Sequence, residues 1–156
     1  MSPVELKSKA EAYCAAAERC ESEVRLKLRQ WNCDAKNADE IVDFLYSNDF
    51  LNVERYCQAF VHDKLMFQAW GRVKIEYMLR AKHLPAYAIQ NALNKIDNSE
   101  YFRILNRLIA SKQKTLSKKT TDSQNIFHFL LQRGFTADEI RQIVPRTNDD
   151  RRVTEG

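Results

Sequence analysis

Three histidines, four cysteines and an excess of basic over acidic side chains are the groups in this sequence that could do chemistry. His62, His83 and His128 stand far apart, and no H-E-x-x-H or G-x-S-x-G motif accompanies them, so neither a zinc hydrolase nor a serine hydrolase is spelled out. Cys14, Cys20, Cys33 and Cys57 include no C-x-x-C pair and have no histidine at finger spacing, which makes them small packing side chains of a reducing compartment. Only 3 glycines occur, too few for a loop that cradles phosphates. The chain is expected to be non-catalytic, without cofactor, metal or small-molecule substrate.

Charge is the remaining chemistry. The net charge is +4, unevenly spread. From Asp34 to Glu54 six acids face one base, Lys36, whereas from Tyr101 to Thr121 six bases (Arg103, Arg107, Lys112, Lys114, Lys118, Lys119) meet no acid. Such asymmetry suits a surface that meets an anionic partner, nucleic acid or an acidic protein face; a solvated helix face with a basic loop explains it equally. Arg72, Glu76 and Arg80 recur at i, i+4 and i+8, a stripe opposite Ile75, Met78 and Leu79, with Lys74 and Lys82 to one side. The stretch Lys112 to Thr120 carries four lysines, a composition suited to phosphate-backbone contact or to a solubilising linker. With Lys64, these give the candidate partner-binding set Lys64, Arg72, Lys74, Arg80, Lys82, Lys112, Lys114, Lys118 and Lys119. Trp70 either packs at a helix junction or stacks on a base, and Tyr13, Tyr56 and Phe60 are expected in the core.

Helices must position these groups. Hydrophobic residues make up 44% and charged residues 29%, a globular balance, and 3 Gly with 3 Pro leave too few turn-formers for a sheet-rich fold. The polar N-terminus and the lack of any apolar run of ~18–20 residues predict a soluble, unexported, cytoplasmic protein with no membrane contact.

The helices repeat. Cys20, Gly71 and Asp122 are 51 positions apart, as are Val24, Ile75 and Ile126, and Leu28, Leu79 and Leu130. Residues four apart lie on one helical stripe, so each copy buries the same face. A further helix follows in each copy, its start marked by Asn37 with Glu40, by Pro85, and by Thr136 with Glu139; on these starts the first copy carries three extra residues in the preceding turn. Asn52 is a cap for the middle copy's opening helix, and Gly134 is a natural residue to close the third copy's central one. Opening helices are read at Ala10 to Ala17, Tyr56 to Leu65 and Tyr101 to Ile109. The expected fold is all-α: three tandem three-helix repeats, 4–48, 50–97 and 99–145, stacked into an elongated, curved monomer, with a flexible tail over 146–156.

These residues resemble the RecX family of recombinase regulators over about Ala12 to Val144. The run from Phe50 to Val61, with Glu54-Arg55-Tyr56 at its centre, is similar to the family's signature. So are Trp70-Gly71-Arg72-Val73-Lys74-Ile75 and Leu79-Arg80-Ala81-Lys82, and in the first copy Arg19, Glu23-Val24 and Lys27-Leu28. The sequence departs from the pattern where Asn52 and Val53 replace two acids, Cys20 replaces Ser, and His83 replaces Gly. The resemblance implies a protein that lies along the RecA filament on single-stranded DNA and restrains its growth, ATP turnover, strand exchange and stimulation of repressor self-cleavage. Its partner would be that assembly, with single- or double-stranded DNA as a further contact. A plain nucleic-acid-binding helical module and a generic protein scaffold are the alternatives.

Overall fold

The structure, a computed structural model, describes residues 1–115 and 122–143. Among the described residues there are nine helices and no strand: α1 (Pro3–Ala16), α2 (Glu21–Gln30), α3 (Ala35–Ser47), α4 (Val53–Gln68), α5 (Arg72–Ala81), α6 (Ala86–Asn94), α7 (Asn98–Thr115), α8 (Asp122–Gln132) and α9 (Ala137–Ile143). None is long and apolar enough to cross a membrane. Lys118, Lys119 and the tail 146–156 lie outside the described residues.

Polar side chains set the helix starts. Ser2 Oγ accepts the Glu5 N–H at 3.2 Å, with Pro3 opening α1 seven residues ahead of the expected Ala10. Asn52 Oδ1 accepts from Arg55 at 2.9 Å, and Thr136 and Glu139 satisfy each other's N–H groups at 3.1 and 2.8 Å, both as expected. Asn37 does not cap α3. Asp34 takes the role three residues earlier, its Oδ1 accepting the Asn37 N–H at 2.8 Å, because an aspartate is an equally strong cap and the chain enters the helix at the first one it meets. This start removes the three extra residues: Asp34, Pro85 and Thr136 are themselves 51 apart.

The central helices end alike. Asn32, His83 and Gly134, again 51 apart, hold φ of 59°, 66° and 100°. The next residue's N–H reaches back to the carbonyl of Leu28, Leu79 or Leu130 at 2.9, 3.2 and 3.2 Å, closing three equivalent left-handed caps. The predicted stripe is the core: Val24, Ile75, Ile126, Leu28, Leu79 and Leu130 are all buried. Each such side chain stabilises the fold by about 2 kcal/mol through the water it sheds. In the first three helices, Leu6, Ala10, Cys14, Val24, Leu28, Ala38, Ile41, Val42, Leu45 and Leu51 form one continuous cluster.

By compactness the chain divides into two units, 1–61 with 78–95 and 62–77 with 96–156, so α4 and α5 each contribute to both. In the first, α1, α2 and α3 pack on one another; in the second, α7 packs on α8 and α8 on α9.

Candidate partner-binding site

The second unit gathers cations on aromatic rings, and two glycines make that possible. The left-handed cap after α8 abuts the first turn of α5: Gly71 N–H donates to the Arg133 carbonyl at 2.8 Å and Val73 N–H to the Gly134 carbonyl at 3.1 Å. Two of the orphan donors at the start of α5 are thereby satisfied by the end of another helix. A Cβ on Gly71 would fall 2.4 Å from the Gly134 backbone, and one on Gly134 would fall 2.4 Å from Lys74 Cβ. Only glycine on both sides permits the approach.

Tyr101 and Arg72 lock the same junction. The buried Tyr101 hydroxyl accepts the Arg72 N–H at 3.1 Å and donates to Glu139 at 3.1 Å. Burial, with the Glu139 carboxylate beside it, pushes this phenol well above its ordinary range, so it keeps its proton. The Arg72 guanidinium lies 3.9 Å from the Tyr101 ring centroid, with Glu139 at 3.1 Å and Asn98 at 2.6 Å. Expected on a contact stripe, Arg72 is instead half-buried and engaged within the fold, because the N-terminal turn of α5 is covered by α7 and α9 residues.

Around this junction Lys64 and Lys74 rest over the Trp70 ring at 4.9 and 4.4 Å, while Lys112 and Arg133 rest over Phe129 at 4.4 and 5.3 Å. Arg133 also donates to the Gln68 carbonyl at 3.0 Å, which ties the end of α8 to the end of α4. The result is a belt of four cations on two rings. Cations seated on ring faces have fewer conformations to lose when they meet an anion. Phe67, Tyr77 and Val73, from the same unit, are 75%, 70% and 52% exposed, and Met66 and Leu131 are also exposed. Trp70 itself is half-buried with cations over its ring, a pedestal for charge.

Of the sequence-derived set, Lys64, Lys74 and Lys112 share this belt. Lys114 is exposed on the last turn of α7, which extends through residues read as a loop. Arg80 and Lys82 belong to the first unit, where Lys82 approaches Glu23 at 3.9 Å. Arg133 was missed; its signal was its place just before Gly134, the turn that docks. Arg55 of the signature is structural, donating to Glu18 at 2.5 Å and to the Asp49 and Phe50 carbonyls at 3.0 and 3.3 Å. Tyr13 and Phe60 are half-buried, and Tyr56 is buried as expected. Among the described residues no group of three metal-ligating side chains assembles, and the four cysteines are free thiols. Burial raises Cys14 and Cys57 to about 11, which suits packing rather than reactivity.

Two family models match: one described as the first three-helix domain of RecX over residues 7–45, the other as the second over residues 54–93. Regulatory protein RecX of Clostridium perfringens (strain SM101) is 31% identical over 137 residues, 85% of this chain and 64% of the relative. That of Clostridium acetobutylicum is 27% identical over 144 residues, 88% of this chain and 66% of the relative. The chain thus spans somewhat under two thirds of these clostridial relatives. That of Leptothrix cholodnii is 28% identical over 142 residues, 89% of this chain and 87% of the relative. The fold matches a crystal structure of regulatory protein RecX with a TM-score of 0.83 at 17% identity, over 90% of this chain and 72% of that one. It matches RecX from Lactobacillus salivarius with a TM-score of 0.74 at 22% identity, over 90% of this chain and 93% of that one. Since the two three-helix domains are matched in order and take in both the Glu54-Arg55-Tyr56 segment and the Gly71 helix start, the chain belongs to the RecX family of regulatory proteins.

Proposed function

We propose that this protein is a monomeric cytoplasmic regulator that binds the RecA filament on single-stranded DNA and restrains its ATPase, strand-exchange and coprotease activities. It does so without cofactor or catalysis. Family membership supports the class of function, and the cation belt of the second unit is the observation that carries the contact. Lys64, Lys74, Lys112 and Arg133 present fixed positive charge, and Phe67, Val73 and Tyr77 offer the exposed apolar anchors that concentrate binding energy in protein interfaces. Aliphatic anchors such as Val73, Met66 and Leu131 give nothing to a phosphate and favour a protein face as the main partner.

The test is RecA's DNA-dependent ATPase titrated with this protein and with Lys64→Glu, Lys74→Glu. The wild type should inhibit. The double variant should keep its helical circular dichroism and need about tenfold more protein for half-inhibition, since removing 1.4 kcal/mol of contact is one decade in affinity. No inhibition by saturating wild type refutes the reading. Unchanged inhibition by the variant moves the contact away from the belt. A second reading, direct nucleic-acid binding through the basic end of α7 with Lys112 and Lys114, predicts affinity for DNA without RecA that falls steeply with salt.

A further inference from the structure

The first unit contains a junction equivalent to the Gly71–Gly134 contact, and it is built from different material. The cap at His83 approaches the start of α2 as the cap at Gly134 approaches the start of α5, each 51 positions behind its counterpart. Here Cys20 occupies the place of Gly71 and His83 that of Gly134, so each side carries a Cβ where the other junction has none. The close backbone approach made by the two glycines is therefore unavailable. In its stead the Ser22 hydroxyl donates to the Lys82 carbonyl at 3.0 Å, and the Lys82 ammonium stands 3.9 Å from Glu23. A 3.9 Å ion pair between half-buried side chains contributes little. On the α2 side, moreover, the apolar cluster of the first triplet is complete within α1, α2, α3 and Leu51; it includes no residue of α5 or α6.

We infer that this junction is the hinge of the first unit: α1–α3 swings away as a preformed body, breaking the Ser22 and Glu23 contacts to Lys82, the Tyr56 hydroxyl's contacts to Glu23 and Cys20, and the Glu18–Arg55 pair, while its own core stays closed. No residue of α4, α5 or α6 belongs to that cluster, and the buried groups at the junction itself are Cys20 and Tyr56. Local opening of this kind, well below the free energy of global unfolding, is expected where polar contacts hold together bodies that are each already packed.

The native cysteines report on it. Cys20 is buried at the junction and outside the cluster, whereas Cys14 is buried inside the cluster. Labelling of the 156-residue chain with iodoacetamide, read residue by residue by mass spectrometry, should modify Cys20 through an opening that barely depends on denaturant. Cys14, and hydrogen exchange at the Gly71 and Val73 amides that bridge the other junction, should report only a steeply denaturant-dependent opening. Because the Ser22 hydroxyl also lies 3.2 Å from Cys20 Sγ, labelling is expressed relative to the same thiol in the urea-unfolded variant. On that scale Ser22→Ala should speed Cys20 labelling about fivefold, the factor that corresponds to one lost hydrogen bond, and leave Cys14 unchanged. The inference is overturned if Cys20 and Cys14 open with the same free energy and the same denaturant dependence, or if Ser22→Ala changes both alike. Neither result depends on RecA, so the hinge and the regulatory reading stand or fall separately.

Discussion

At the start of α5, two backbone N–H groups donate to carbonyls of the α8–α9 turn; at the start of α2, a serine hydroxyl reaches a carbonyl of the α5–α6 turn. Both turns have the same internal hydrogen bonds, and so does the third, at Asn32. The cap is therefore a local product of its own helix end, and docking is a separate property laid on top of it. Whether docking runs through backbone or side chain depends on the presence of a Cβ at two positions. Each junction also carries a tyrosine from the fourth residue of the following triplet's opening helix, Tyr56 or Tyr101. The fourth residue of α1 is Leu6, so the first triplet lacks this feature and presents a plain apolar residue of its own core.

The strongest way to break the contrast is to give the tight junction the Cβ that the loose one has. In Gly71→Ala the new methyl carbon meets the Gly134 carbonyl group at 2.4 Å, and backbone cannot yield as a flexible side chain does. We expect a loss of about 3 kcal/mol and a melting temperature lower by roughly 10 °C, read by thermal circular dichroism. A loss under about 0.5 kcal/mol would mean that the two backbones are not in contact. The change should also disturb the cation belt, because Lys74 and Arg133 flank the junction.

Next in size is Tyr101→Phe. It strips the acceptor from the Arg72 N–H and the donor from Glu139 inside a closed site, which costs about 2 kcal/mol. Tyr56→Phe, whose hydroxyl faces Glu23 and Cys20 at the looser junction, should cost about half as much. Equal losses in urea titrations would remove the energetic distinction between the junctions.

His83→Gly has the opposite sign. A non-glycine residue at φ 66° carries a steric penalty that glycine avoids, so the variant should be more stable by about 1 kcal/mol, offset in part by the extra freedom of the unfolded glycine. The cap at Asn32 has the same geometry, so this gain belongs to the turn itself and should leave Cys20 labelling relative to Cys14 unaltered.

Much of this was written in the sequence. The 51-residue phase located the three central helices and their buried faces, because helical burial leaves a period that survives substitution; Val24, Ile75 and Ile126 keep it with two residue types. The α3 start was misread because Asp34 and Asn37 are both good caps, and choosing between them needed the phase of the other two starts. Half of the site was visible as lysines. What could not be seen was which cations sit on which rings: Lys64 meets Trp70 only through the turn that follows α4, and Lys112 meets Phe129 where α7 and α8 come together. Arg72 illustrates the limit: its spacing marks it as exposed, and only the packing of α7 and α9 residues over the start of α5 draws it inward.

The smallest expected effect separates the junctions by pH. Burial alone would raise the Glu23 carboxyl, but hydrogen bonds from the Cys20 thiol, the Cys20 N–H and the Tyr56 hydroxyl, with the Lys82 charge nearby, outweigh it and hold the group below the usual carboxylate range. A carboxyl whose folded value is depressed adds stability that is complete above its unfolded value, about 4.3, and is lost as the pH falls through the folded one. Urea midpoints taken from pH 6 downward should therefore fall more for the wild type than for Glu23→Gln, the difference opening only below about pH 5. If the two slopes coincide, the Glu23 charge does not help to close the first junction. Cys20 labelling should then respond to pH no more in the wild type than in Glu23→Gln.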